Sequence, residues 1–264
     1  MKANVKTTNK TKAVKKVTKA KETKEMKKFK KARINDIARR ERINKMLKIR
    51  DEYLAILNEG GKVQIVLQRG NTKTGVNCWT VSLIPVVDCY NCDKCMFECY
   101  DIDNDCYLTS VQNDRARNSA LHMFDIAEYW RQVEELVRKN IVMQLRINVG
   151  GDLRYEDFGY VKAMAEKCPQ TDIMFFTKTY DDINRFLDET EFPSNVHPII
   201  SRWCGVECSN KHNLPESHVL YLNGETTAPE FGSKYCGGNC SECHFNKDGC
   251  WTLKNGESVI FHAH

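Results

Sequence analysis

IVMQLRINVGGDLRYEDFGYVKAMAEK, residues 141–167, reads as a strand, a turn and a helix in succession. Ile141 to Val149 is rich in aliphatic side chains, Gly150-Gly151-Asp152 interrupts the run, and Glu156 to Lys167 has helical character. The pattern then repeats: Ile173 to Thr177 is strand-like, Asp181 to Glu189 helical, and His197 to Ile200 and His218 to Leu222 strand-like. Strands alternating with helices build a parallel sheet with crossover helices, so the expected class is α/β, open or curved into a partial barrel. Such sheets bind ligands at their carboxyl edge, where Gly150, Gly151 and Asp152 fall. Backbone amides there suit a carboxylate, and Asp152 suits an amino group. The plain alternative is a strand-to-helix turn with Asp152 capping the helix.

Upstream, Val63 to Leu67 and Trp79 to Ile84 read as short strands around GNTKTG at 70–75. The second leads into CYNCDKCMFEC, in which Cys89, Cys92, Cys95 and Cys99 are separated by two, two and three residues. That is the spacing of a bacterial ferredoxin loop, except that Tyr100 stands where proline usually follows. Structural zinc sites join two ligand pairs across a longer finger, whereas these four cysteines crowd together, which favours an iron–sulfur cluster. Ferredoxin runs send their fourth cysteine to another cluster, so three ligands and one open iron are expected. Arg115 to Lys139 follows as one long helix with Leu121, Ile126, Trp130, Val133 and Val137 on its apolar face.

From about Phe231 the composition changes again. Cys236, Cys240, Cys243 and Cys250, with gaps of three, two and six residues, precede Trp251 and a short strand Val259 to Phe261. They read as a second metal-binding module, iron–sulfur or zinc. Cys204 and Cys208 either complete one of these sites or remain free thiols, while Cys78, Cys106 and Cys168 read as structural singletons. His244, His262 and His264 are candidate extra ligands.

The chain has 264 residues and 13 cysteines, an odd number that full disulfide pairing cannot satisfy. No signal-peptide pattern and no run of 18 apolar residues occurs, so a soluble, cytoplasmic protein with no membrane partner is expected. In a reducing compartment clustered cysteines are metal or redox groups rather than disulfides. Residues 1–50 hold 20 Lys+Arg against 4 Asp+Glu, net +16, and residues 51–264 hold 20 against 31, net −11, which together give the overall +5. Four segments result: a disordered basic arm over 1–33, an amphipathic helix over 34–61, an α/β domain over 62–230, and the cysteine-rich module over 231–264. The helix has Asn35 or Asp36 as its N-cap and Gly60-Gly61 as its stop. The arm suits nucleic acid through counterion release, or is a solvated tail that folds back on the acidic body.

GNTKTGVNCWTVSL at 70–83, the loop ending at Cys99-Tyr100, RINVGGD at 146–152, FFTKT at 175–179, CSEC at 240–243 and Cys250-Trp251 together resemble the phage gene product 88 family over roughly residues 63–264. The resemblance implies a partial (βα) barrel of radical S-adenosylmethionine type with a small cysteine-rich C-terminal module, in the host cell's cytoplasm. It implies three of Cys89, Cys92, Cys95 and Cys99 on a [4Fe–4S] cluster, Cys95 and Cys99 foremost and Cys89 before Cys92. The open iron would chelate S-adenosyl-L-methionine, whose methionine amino group Asp152 and the Gly150-Gly151 backbone would hold. The usual radical-enzyme spacing of three then two is not met, and aspartate stands where glutamate is commoner. The function expected is an iron–sulfur enzyme that generates a 5′-deoxyadenosyl radical with an electron donor and acts on an unidentified substrate. Two alternatives stand beside it: a two-cluster ferredoxin-like electron carrier, and a zinc-stabilised nucleic-acid-binding protein.

Overall fold

The computed structural model describes residues 24–70, 74–90, 99, 101–102, 109–221, 224–229 and 231–262, with side chains from Asp36 onward. It divides into two units, residues 1–41 and 42–264. The expectations for residues 1–23, Cys92, Cys95, Cys106 and His264 lie outside the described residues.

A long helix α1 runs over Lys24–Asn58. Its start corrects two expectations: Lys24 to Lys31 is helical rather than disordered, and Asn35 and Asp36 lie inside the helix instead of capping it. Its end is as expected, with Gly60 at φ 79° and the Gly61 N–H donating to the Ile56 carbonyl at 2.8 Å. Within the larger unit, Met46 of α1 is buried against Ile84 and Ala116. Arg42 Nη1 donates to the Ile102 carbonyl at 2.6 Å.

The remaining elements are β1 Gln68–Arg69, β2 Cys78–Val81, α2 Thr109–Phe124, α3 Ile126–Lys139, β3 Gln144–Ile147, α4 Tyr155–Lys167, β4 Asp172–Thr177, α5 Tyr180–Glu189, β5 Val196–Ser201, β6 Glu216–Leu220, β7 Ser233–Tyr235, α6 Cys240–Phe245 and β8 Ser258–His262. All eight strands form one sheet in the order β1-β2-β3-β4-β5-β6-β8-β7, parallel throughout except the β1–β2 edge. The expected separate C-terminal module is corrected here: β8 sits between β6 and β7, so the cysteine-rich segment is built into the main sheet. The expected single helix over 115–139 is two, broken where Asp125 caps α3 by accepting the Glu128 N–H at 2.9 Å.

From β2 to β6 the order is the chain order. Right-handed crossovers in such a sheet put every connecting helix on the same face. The ladder aligns Trp79, Leu145, Ile173 and Val196 in one row and Val81, Ile147 and Phe175 in the next. These residues pack with Val133 and Val137 of α3, Phe158 and Val161 of α4 and Ile183 and Phe186 of α5 in the principal core. The alternate residues face the other side, where Cys78, Met174 and Ile199 are buried with Trp251. That second face is concave. Phe176 of β4 and Phe261 of β8 meet at 5.7 Å between ring centroids, although two strands intervene. On a flat sheet those strands would stand about 14 Å apart.

Candidate functional sites at the two ends of the sheet

The carboxyl edge gathers the loop after β2, the turn after β3 and the end of β4. Asn148, at φ 54°, turns the chain out of β3, and its N–H still donates to the Val81 carbonyl at 2.8 Å. The Leu83 N–H donates to the Gly150 carbonyl at 2.9 Å and the Asp152 N–H to the Asp88 carbonyl at 2.8 Å, which stitches the turn to the start of the cysteine loop. Glycine is required at both positions of the turn. Gly151 has φ 90°, and a Cβ on Gly150 would collide with the Asp101 carboxylate and Arg115 guanidinium. Those two form a buried forked ion pair, Nη2 to Oδ1 being 2.8 Å.

Asp152 is 6% exposed and its carboxylate is engaged within the fold. Oδ1 accepts from Thr177 Oγ1 at 2.7 Å and from the Leu153 N–H at 2.8 Å, and Oδ2 accepts from the Lys178 N–H at 2.8 Å. Burial pushes its pKa up, opposed by the Lys178 charge and these hydrogen bonds. It does not cap the following helix: Arg154 is the N-cap of α4, and Asp157 accepts the Arg154 N–H at 2.8 Å. Asn148 is buried at 5% exposure with neither amide atom hydrogen-bonded.

Cys89 reaches the same edge. Burial pushes its thiol well above the ordinary value, the Asp152 charge adds to this, Lys178 opposes it and Cys99 adds a smaller push. Asp152, Lys178 and Cys99 therefore each lie within electrostatic reach of Cys89. Cys89 Sγ accepts the Val86 N–H at 3.3 Å, and Val86 is held at φ 69° to deliver it. A β-branched residue in the left-handed region is strained, and such strain collects at functional sites. An N–H aimed at sulfur favours the thiolate, the form that binds soft metals. Lys178, whose ammonium also lies 5.2 Å from the Trp203 ring centroid, had no signal in sequence beyond its place in FFTKT.

Cys236 follows β7 and accepts the Gly238 N–H at 3.4 Å, and the segment after it reaches the amino ends of β2 and β4, where Cys240 packs near Cys78 and His244 bonds Asp172. Asn239 caps α6, which places Cys240 and Cys243 one turn apart, and Cys250 lies in the 3₁₀ turn Gly249–Trp251. Cys240, Cys243 and Cys250 pack against one apolar cluster, and after burial Cys236 and Cys240 are the main causes raising the pKa of both Cys243 and Cys250. All four are free of disulfides. Thr74 fastens α6 in place, its carbonyl accepting the Ser241 N–H at 2.9 Å. Trp251 Nε1 donates to the Cys240 carbonyl at 2.9 Å.

The other candidates separate. Cys208 pairs with Arg202 and Tyr180, Cys168 is buried in the main core, and His244 Nε2 bonds Asp172 Oδ2 at 2.6 Å rather than joining the thiols. Cys78, read as a singleton, lies against Cys240. Among the described residues no three His, Cys, Asp or Glu side chains already stand in metal-holding geometry. The thiolate donor sets at the two edges nevertheless suit thiophilic metals.

Fold and sites together define an α/β protein with a mostly parallel, curved sheet and cysteines gathered at both ends. The gene product 88 family model matches residues 61–216, more than half of the chain, and the protein belongs to that family of phage proteins. No curated protein and no solved structure matches. Among the described residues no helix is long and apolar enough to cross a membrane.

Proposed function

We propose that the carboxyl edge is the site of a radical S-adenosylmethionine-type iron–sulfur enzyme built on a partial barrel. The observation that carries this reading is the place of Cys89 at the carboxyl edge of consecutively ordered parallel strands, its Sγ accepting the Val86 N–H, with Asp152, Lys178 and Cys99 within electrostatic reach of it. The curvature between Phe176 and Phe261 supports a partial barrel with this edge as its mouth. Cys89, Cys99 and one of Cys92 and Cys95 are the ligands of a [4Fe–4S] cluster. The cluster, when bound, supplies the electron that cleaves S-adenosyl-L-methionine into methionine and a 5′-deoxyadenosyl radical, drawn in turn from an external reductant.

The chain's own residues do the rest. Gly150 and Gly151 bring backbone up to the cluster loop without side-chain bulk. Asp152 fixes the Lys178 backbone, and the Lys178 ammonium supplies the positive charge that a substrate carboxylate needs. Asn148 holds an unpaired amide beside the turn for a polar group of the ligand. Anaerobic reconstitution with iron and sulfide is expected to give a [4Fe–4S] protein that forms 5′-deoxyadenosine from S-adenosylmethionine under dithionite. A reconstituted cluster that neither binds S-adenosylmethionine nor forms 5′-deoxyadenosine would overturn the reading.

A further inference from the structure

At the opposite end of the sheet, β2 and β3 each send one inward side chain to the C-terminal cysteines. Arg146 is 7% exposed, and its guanidinium stacks over Phe176 at 4.9 Å. From there Arg146 Nη1 donates to Cys240 Sγ at 3.8 Å. Cys78, with no exposed surface, packs in the same apolar cluster as Cys240, and its own Sγ donates to the Trp79 carbonyl at 3.8 Å. Arg146 pairs with Thr80 and Met174 across the ladder, so its Cα is fixed by strands on both sides. A buried guanidinium cannot lose its proton and favours an anion close by. The Cys240 sulfur, as a thiolate, is an anion at that distance.

We infer that Cys236, Cys240, Cys243 and Cys250 form a second metal-thiolate centre that locks the amino ends of β2 and β4, with Arg146 as the positioning donor to the Cys240 sulfur and Cys78 packed beside it. Four thiolates on a divalent ion, or on a [4Fe–4S] core of charge 2+, leave a net charge of 2−, and Arg146 offsets part of it in a site lined by Met174, Ile199, Trp251 and Leu253. The shared chemistry is a thiophilic metal held by four sulfurs. The centre does not depend on what binds at the carboxyl edge. It explains why the connection from β7 to β8 carries the cysteines, because the metal fastens α6 and the 3₁₀ turn against strands that arise much earlier in the chain.

The test uses the full chain carrying Cys89→Ser, Cys92→Ser, Cys95→Ser and Cys99→Ser, so that metal at the other edge does not contribute. Cobalt(II) and zinc(II) titrations, and anaerobic loading with iron and sulfide, each report stoichiometry and the sulfur-to-metal absorption bands. One equivalent of zinc or cobalt identifies a single-ion site; four irons with four sulfides identify a cluster. Arg146→Met is expected to weaken metal binding 10–100-fold, as loss of a partner to a metal ligand does. Arg146→Lys is expected to restore most of the affinity while shifting the absorption bands. Unchanged affinity and spectrum in Arg146→Met would overturn the role of Arg146. Tight metal binding that survives Cys240→Ser and Cys243→Ser together would overturn the centre itself. Far-ultraviolet circular dichroism of the metal-free variants, expected to match the parent, separates lost ligation from lost folding.

Discussion

Gly150 and Gly159 respond oppositely to one added methyl group. Gly159 lies within α4 with nothing within 4 Å of the place a Cβ would take, so Gly159→Ala is expected to stabilise the protein by about 0.5–1 kcal/mol through helix propensity. Gly150→Ala drives the same atom into the Asp101–Arg115 pair and to 3.2 Å from the Leu83 carbonyl. Overpacking there is expected to cost about 1–3 kcal/mol, and urea unfolding of the two variants measures the contrast. Asp157 gives a residue-scale test against pH. Burial opposes its charge, yet hydrogen bonds from His122 at 2.7 Å and Trp130 at 2.8 Å, with the Arg154 N–H, hold its carboxyl below the usual range. A depressed carboxylate contributes stability above its unfolded pKa of about 3.9, and that contribution is lost as pH falls through the lower folded value. Asp157→Asn is therefore expected to lose about 1–3 kcal/mol at pH 7 and to differ less from the parent at pH 3. Asp88 and Asp152, raised by burial, act with the opposite sign, so the difference between parent and variant, not the parent's slope, isolates Asp157.

Val63 to Leu67 shows how an element can have strand composition without joining a ladder. Its inward residues Val63, Ile65 and Leu67 are buried, as the alternation predicts, but only Gln68–Arg69 pairs as a strand. Side-chain amides replace the missing neighbour. Asn118 of α2 accepts the Val66 N–H at 2.8 Å and donates to the Val66 carbonyl at 3.0 Å, and Gln132 of α3 does the same for the Ile65 N–H and Val63 carbonyl at 2.9 and 3.0 Å. Asn118→Ala strips both bonds at Val66 and is expected to cost about 1–3 kcal/mol, with faster hydrogen exchange at the Val66 amide as the local readout. Sequence reading had no access to this, because the partners lie more than fifty residues away. By contrast α4, β4, α5 and β5 were legible to within a residue or two, since the helices each bury one face, the strands are apolar runs buried on both, and the strand-turn-helix order repeats. The site was legible in the same measure. Local spacing exposed the cysteines and Gly150-Gly151-Asp152, whereas Cys78, Arg146 and Lys178 gain their place only through ladder register and the curl of the sheet, neither of which leaves a mark in nearby residues.

Charge is segregated over the whole molecule. Residues 24–50, which begin α1, hold 12 Lys+Arg against 3 Asp+Glu, and they continue the basic run of the preceding residues. A helix rises about 1.5 Å per residue, so Lys24 to Glu41 carries its cations along roughly 27 Å, enough to follow several phosphates of a duplex. The rest of the chain is acidic, net −11 over residues 51–264, and would repel the same polyanion. Nucleic-acid binding by this chain is thus expected to reside in the N-terminal segment and to be electrostatic. About six phosphate contacts give a slope near −5 in log K against log salt, with little preference among duplex sequences. Fluorescence anisotropy with the full chain and with a variant lacking residues 1–33 reads both quantities. Loss of affinity on truncation, with the far-ultraviolet circular dichroism of the remaining chain unchanged, places the contact on the arm and its helix. Affinity retained after truncation would place the contact on residues 34–264 and overturn this reading.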